Sequence, residues 1–161
     1  MKCTLGMYRR PTSSYYAGMA SVHDVAAYIL KKTGSLTTWK LQKLVYYCQA
    51  WSLVWDEKPL FSARIEAWAN GPVVPQLYRL HRGQFKVSAW SQGDLQRLND
   101  TERETIDAVL KFYGKQTSQW LSDLTHREDP WINARRGVPA DAPSNAEITI
   151  GSMSDYYNNL H

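Results

Sequence analysis

Apolar residues recur at helical spacing between Thr38 and about Asp56, where Leu41, Leu44, Val45, Cys48 and Trp55 mark one face and Ser52 is the one polar break. Tyr46, Tyr47, Trp51 and Trp55 carry the apolar arc beyond a single face, so the pattern predicts a central helix packed on two or three sides. Thr37 or Thr38 supplies a capping hydroxyl. Lys40 and Lys43 fall in the first two turns, where the helix dipole disfavours cations, so helix stability does not account for them.

The pattern changes at Lys58-Pro59, since proline removes a donor and biases its predecessor away from the helical region. Phe61, Ala63, Ile65 and Ala67 alternate with Ser62, Arg64, Glu66 and Trp68, the period of a half-buried strand. Asn70-Gly71-Pro72 makes a turn, and Pro75 to Arg82 reads as a short helix with Gly83 as its stop. Upstream, Ser21 and Asp24 have capping-box spacing ahead of Val22, Val25, Ala26, Ile29 and Leu30, which predicts a helix ending at Gly34. Downstream, Phe85-Lys86-Val87 is a second short strand, expected to pair with Phe61 to Trp68.

Helices follow from Asn99 to Tyr113 and from Thr117 or Ser118 to His126. Asp129 is read as the cap of a short helix with Pro130 at its first position, and Ser152 or Ser154 as the cap of a final helix from Asp155 to Leu160. The predicted fold is mainly α: a compact bundle of about six or seven helices around the 38–56 helix, with a small two-stranded β-ribbon. Residues 1–18, with Arg9-Arg10-Pro11 and Thr12-Ser13-Ser14 and no apolar run, read as a disordered leader, and residues 19–161 as a single domain.

Composition narrows the class. Hydrophobic residues are 43% and charged ones 21%, and no apolar run reaches the roughly 20 residues a bilayer span needs. A net charge of +4 favours acidic partners only weakly. Two cysteines, Cys3 and Cys48, make no disulfide framework, which suits a reducing, cytoplasmic setting.

The sequence contains no glycine-rich phosphate loop, HExxH, CxxC or GxSxG, so a non-enzymatic protein is expected, with no cofactor. His126 with Glu128 and Asp129 is the one cluster of hard ligands, and capping accounts for both acids, so no metal is expected. Glu66 has Arg64 two residues away, and pairing with that cation is its expected use; His23 reads as a surface or capping residue. Asn70-Gly71-Pro72 reads first as turn chemistry, with the alternative that it presents Trp68 and Asn70 to a partner. Tyr78, Arg79, His81 and Arg82 form an aromatic-basic patch of the kind that grips proteins or phosphates, and Trp39, Lys40 and Lys43 form another.

The order KLQKLVYYCQAW, PLF, IEAWANGPVVPQLY resembles the Panacea antitoxin domain, also called the SocA-like or phage-associated antitoxin domain of bacteria. Val22 to Thr33 and EDPWINARRG at 128–137 extend the resemblance over about 19–160. The resemblance implies structural roles for Leu41, Leu44, Tyr46, Tyr47, Glu66, Gly71, Pro72, Pro130 and Trp131. The resemblance implies an antitoxin that neutralises a cognate protein toxin by direct binding, in some relatives as an adaptor to a protease. The rival expectation is a nucleic-acid-binding regulator, against which no helix-turn-helix of convincing spacing stands out.

Overall fold

The computed structural model describes residues 18–160, and the expected leader, Gly18 apart, lies outside them, as does Cys3. Seven α-helices are present among the described residues: α1 Val22–Thr33, α2 Thr38–Trp55, α3 Pro75–His81, α4 Asp100–Tyr113, α5 Ser118–His126, α6 Asp129–Ala134 and α7 Ile150–Asn158. Four short strands join them: β1 Leu36–Thr37, β2 Glu66–Trp68, β3 Gly71–Val73 and β4 Lys86–Val87. The mainly α class is as the apolar periodicity predicts.

α2 is the axis. Every residue from Leu41 to Ala50 is buried, nearly three turns with no solvent face, and α1, α4, α5 and α7 all pack on it. The Thr37 hydroxyl caps it by accepting from the Lys40 amide. At α1 the capping box forms: Ser21 accepts from His23 and Asp24 Oδ2 accepts from Ser21, while Asp24 Oδ1 accepts from the Asp94 amide and ties the loop before α4 to this helix start. Asn99 and Glu102 form a second capping box on α4. His23 is half-buried, its Nδ1 accepting from the Trp90 indole at 3.1 Å.

The ribbons differ from expectation. β4 pairs with β1, in the register Leu36↔Val87 and Thr37↔Lys86, rather than with the 61–68 segment. Instead β2 turns back through Ala69-Asn70 onto β3, pairing Glu66↔Val73, Ala67↔Pro72 and Trp68↔Gly71. Phe61 to Ile65 is irregular although Phe61, Ile65 and Ala67 point inward with the expected alternation. The reason is Gln49: its amide donates to the Phe61 carbonyl at 2.8 Å and its Oε1 accepts from the Leu60 amide at 2.7 Å, so a helix side chain takes the place of a strand partner.

Two caps also move. Thr149, not Ser152 or Ser154, caps the last helix, because its hydroxyl accepts from the Ser152 amide; α7 therefore starts at Ile150. Glu128 occupies the cap position of α6 with Asp129 inside the first turn, and the Glu128 side chain makes no capping bond. Gln49→Leu leaves the Leu60 amide and Phe61 carbonyl buried without partners and is expected to lower unfolding free energy by about 3 kcal/mol in a denaturant titration.

Candidate functional site

Near the N-terminal end of α2, Gln42 and Lys43 hold the turn that follows β2. Gln42 Oε1 accepts from the Val74 amide at 2.8 Å, its Nε2 lies 3.3 Å from the Val74 carbonyl, and the same nitrogen is 2.9 Å from His81 Nε2. Lys43 donates to the Pro72 carbonyl at 3.3 Å and lies 5.2 Å from the Trp39 ring centroid. Gly71 has φ 114, and a Cβ there would stand 2.5 Å from Lys43 Cε and 2.9 Å from the Thr125 hydroxyl, so glycine is required twice over.

These contacts revise one expectation. Lys43 is 1% exposed and pushed down to about 7 by burial, so it is an interior group rather than part of a surface patch. Trp39 and Lys40 beside it are half-buried, and desolvation also lowers Lys40. Trp68 is half-buried, its indole donating to Glu66 Oε1 at 2.8 Å and its ring meeting Tyr78 edge-on at 4.8 Å. Asn70, Arg79 and Arg82 are exposed. Glu66 pairs with Arg64 at 2.9 Å, as its spacing predicts.

The remaining motif residues are interior. Leu41, Leu44, Tyr46, Tyr47, Pro72, Pro130 and Trp131 are buried, and the Trp131 indole donates to the Trp68 carbonyl at 2.8 Å. Arg135, 2% exposed, stacks 4.7 Å from the Trp131 ring and donates to the carbonyls of Ala67 and Pro139, binding the end of α6 to β2 and to the following loop.

Toward the C-terminal end of α2 lies a cluster that periodicity alone does not single out. Glu128, 4% exposed, accepts on Oε1 from the hydroxyls of Tyr47 at 2.7 Å and Tyr157 at 2.8 Å. Tyr46 and Tyr157 hydroxyls meet at 3.0 Å, Tyr47 stacks on Tyr113 at 4.2 Å, and the Trp51 indole donates to the Tyr113 hydroxyl. Burial pushes the Glu128 carboxyl up, against the pull of the two tyrosine donors. His126, grouped with it by sequence, instead stacks against Trp131, and among the described residues no trio of His, Cys, Asp or Glu converges on a metal position.

Above this cluster opens a groove of about 860 Å³ between the end of α2, α4, α5 and the end of α7. Trp51 and Trp55, stacked at 5.2 Å, form one wall; Phe112 and Trp120 stand on the other, 62% and 38% exposed. Asp56, Glu104, Arg127 and Glu128 supply its charges.

Residues 41–132, more than half the chain, match the model of the family described as antitoxin SocA-like, Panacea domain. The chain belongs to that family. No curated protein and no solved structure matches it. In this Panacea domain the matched span runs from the first buried turn of α2 to α6, so it contains the Gln42–Lys43 and Gln49 contacts, the β2–β3 turn, Glu128 and much of the groove wall. No helix among the described residues is long and apolar enough to cross a membrane.

Sequence reasoning missed Gln42, Gln49 and Arg135, and it assigned Glu128 to capping where the side chain instead accepts from Tyr47 and Tyr157. A signal existed for the glutamines: two amides seven residues apart on a helix that is apolar all round must find partners indoors.

The displaced titration of Lys43 has a signed consequence. Its ordinary value, 10.5, applies unfolded, so between about pH 7 and 10 the unfolded chain holds a proton that the folded one lacks, and stability rises with pH. Wild type is therefore expected to gain stability relative to Lys43→Met as pH goes from 7 to 9.5, in paired denaturant titrations. A constant difference across that range would contradict the assignment.

Proposed function

We propose that this protein is an antitoxin that binds a protein toxin encoded beside it, in a bacterial chromosome or prophage, and masks the surface the toxin needs to act. The observation that supports this reading is the family match over residues 41–132. The architecture agrees with it: the interior residues of the motif lock a scaffold, and aromatic and basic side chains are left on its surface, the residue types that dominate protein interfaces.

In this reading the toxin meets Trp68, Asn70, Tyr78, Arg79 and Arg82, with Trp39 and Lys40 at the neighbouring end of α2. Lys43 links the two groups from beneath, through the Trp39 ring on one side and the Gly71–Pro72 backbone on the other. Handing the bound toxin to a protease would use the same recognition step followed by a second contact.

The test is co-expression of each adjacent reading frame, alone and with this protein. One frame is expected to arrest growth, to be rescued, and to co-purify with the protein as a complex. Arg79→Glu with Arg82→Glu is expected to weaken rescue while shifting the thermal midpoint little, because exposed substitutions change stability by about 0.5 kcal/mol or less. Lack of rescue by any neighbour, or a low-salt shift of upstream DNA in its place, would replace this reading with the regulatory one.

A further inference from the structure

The groove at the far end of α2 is separate from the Trp39 patch: Trp55 lies 16 positions after Trp39, about 24 Å at the helical rise. It differs in charge as well. Asp56, Glu104 and Glu128 face it against one cation, Arg127, in a chain whose net charge is +4. Glu128 is the unusual member. It is almost wholly buried, both tyrosine hydroxyls fall on Oε1, and among the described residues nothing bonds Oε2 and no cation pairs with the carboxylate. Glu128 itself lines the groove. The Trp55 indole N–H is a second unmet group, buried with no acceptor.

A buried carboxylate in no salt bridge, with Arg127 acting on it only through space, shares its groove with the stacked Trp51 and Trp55 indoles and is complementary to a guanidinium, whose plane stacks on aromatic faces and whose fork matches a carboxylate. Phe112 and Leu160 on the groove lining are 62% and 44% exposed, an apolar rim that a polypeptide segment would cover and a small cation would leave wet. We propose that the groove receives a segment of the toxin carrying an arginine, its guanidinium reaching Glu128 and its apolar side chains covering Phe112 and Trp120. This rests on the antitoxin reading and gives it a second contact, at the opposite end of α2 from the Arg79–Arg82 face.

The experiment uses the full chain and the toxin that the rescue assay identifies, with affinity measured by calorimetry at pH 7. Glu128→Gln keeps an oxygen acceptor for Tyr47 and Tyr157 but no charge, and is expected to weaken the complex at least tenfold. Replacing each toxin arginine in turn by glutamine should find one whose loss removes the effect of Glu128→Gln in a double-mutant cycle. Should Glu128→Gln unfold, Phe112→Ala with Trp120→Ala, both at solvent-facing positions, is expected to weaken binding likewise. A complex of unchanged affinity in the folded variants overturns the groove proposal and leaves the antitoxin reading standing; absence of any complex removes both. Tight binding of spermidine at Glu128 without competition against the toxin, or a concentration-dependent dimer abolished by Phe112→Ala with Trp120→Ala, would assign the groove to a small cation or a second copy and equally overturn it.

Discussion

A helix buried on every side must still satisfy whatever polar side chains it carries, and that constraint organises this fold. Gln42, Lys43, Gln49 and Ser52 on α2 each reach the main chain of the segment that follows: Val74, Pro72, Leu60 with Phe61, and Lys58. A buried amide left without partners costs roughly 1–3 kcal/mol, so each contact is as much an avoided penalty as a gain. The consequence is structural: residues 58–74 have little regular ladder of their own, and α2 supplies the hydrogen bonds that a neighbouring strand would give.

The same logic explains what was legible in the sequence and what was not. Helix periodicity and caps are local, so Ser21, Asn99 and Thr117 announce their helices and α2 ends within a residue of its predicted limit. The Phe61–Ala67 alternation is also real, since Phe61, Ile65 and Ala67 do face inward. Alternation reports which side is buried, however, and not what bonds the backbone; Gln49, a dozen residues away, decides that. β4 finds β1 for a comparable reason: the Thr38 amide and hydroxyl bond the Phe85 and Gln84 carbonyls, fixing that loop against the start of α2.

The site was less legible than the fold. Gly71 and Pro72 read correctly as turn residues and Trp131 as part of the motif, but Lys43 reads as part of a patch with Trp39 and Lys40, since a cation near a helix N-terminus does not serve helix stability and nothing nearby in the sequence signals its burial. Its partners are a ring four residues before it and a carbonyl 29 residues after it. Glu128 was hidden by a competing local signal: an acid just before Asp129-Pro130 looks like a helix start, and it does hold the cap position, while its side chain turns inward to tyrosines from α2 and α7.

That inward turn leaves an ionisable carboxyl group that the fold does not need. Two tyrosine hydroxyls converging on one oxygen require an acceptor, and a neutral amide oxygen would serve at less cost than a desolvated carboxylate. Burial already works against the ionised form of Glu128, and Arg127 favours that form only through space, with no salt bridge to the carboxylate among the described residues. Packing explains the aromatic rings around Glu128 and hydrogen bonding explains Oε1. In the proposed reading the carboxylate, disfavoured by burial, is met by an arginine that enters the groove it shares with Trp51, Trp55 and Phe112.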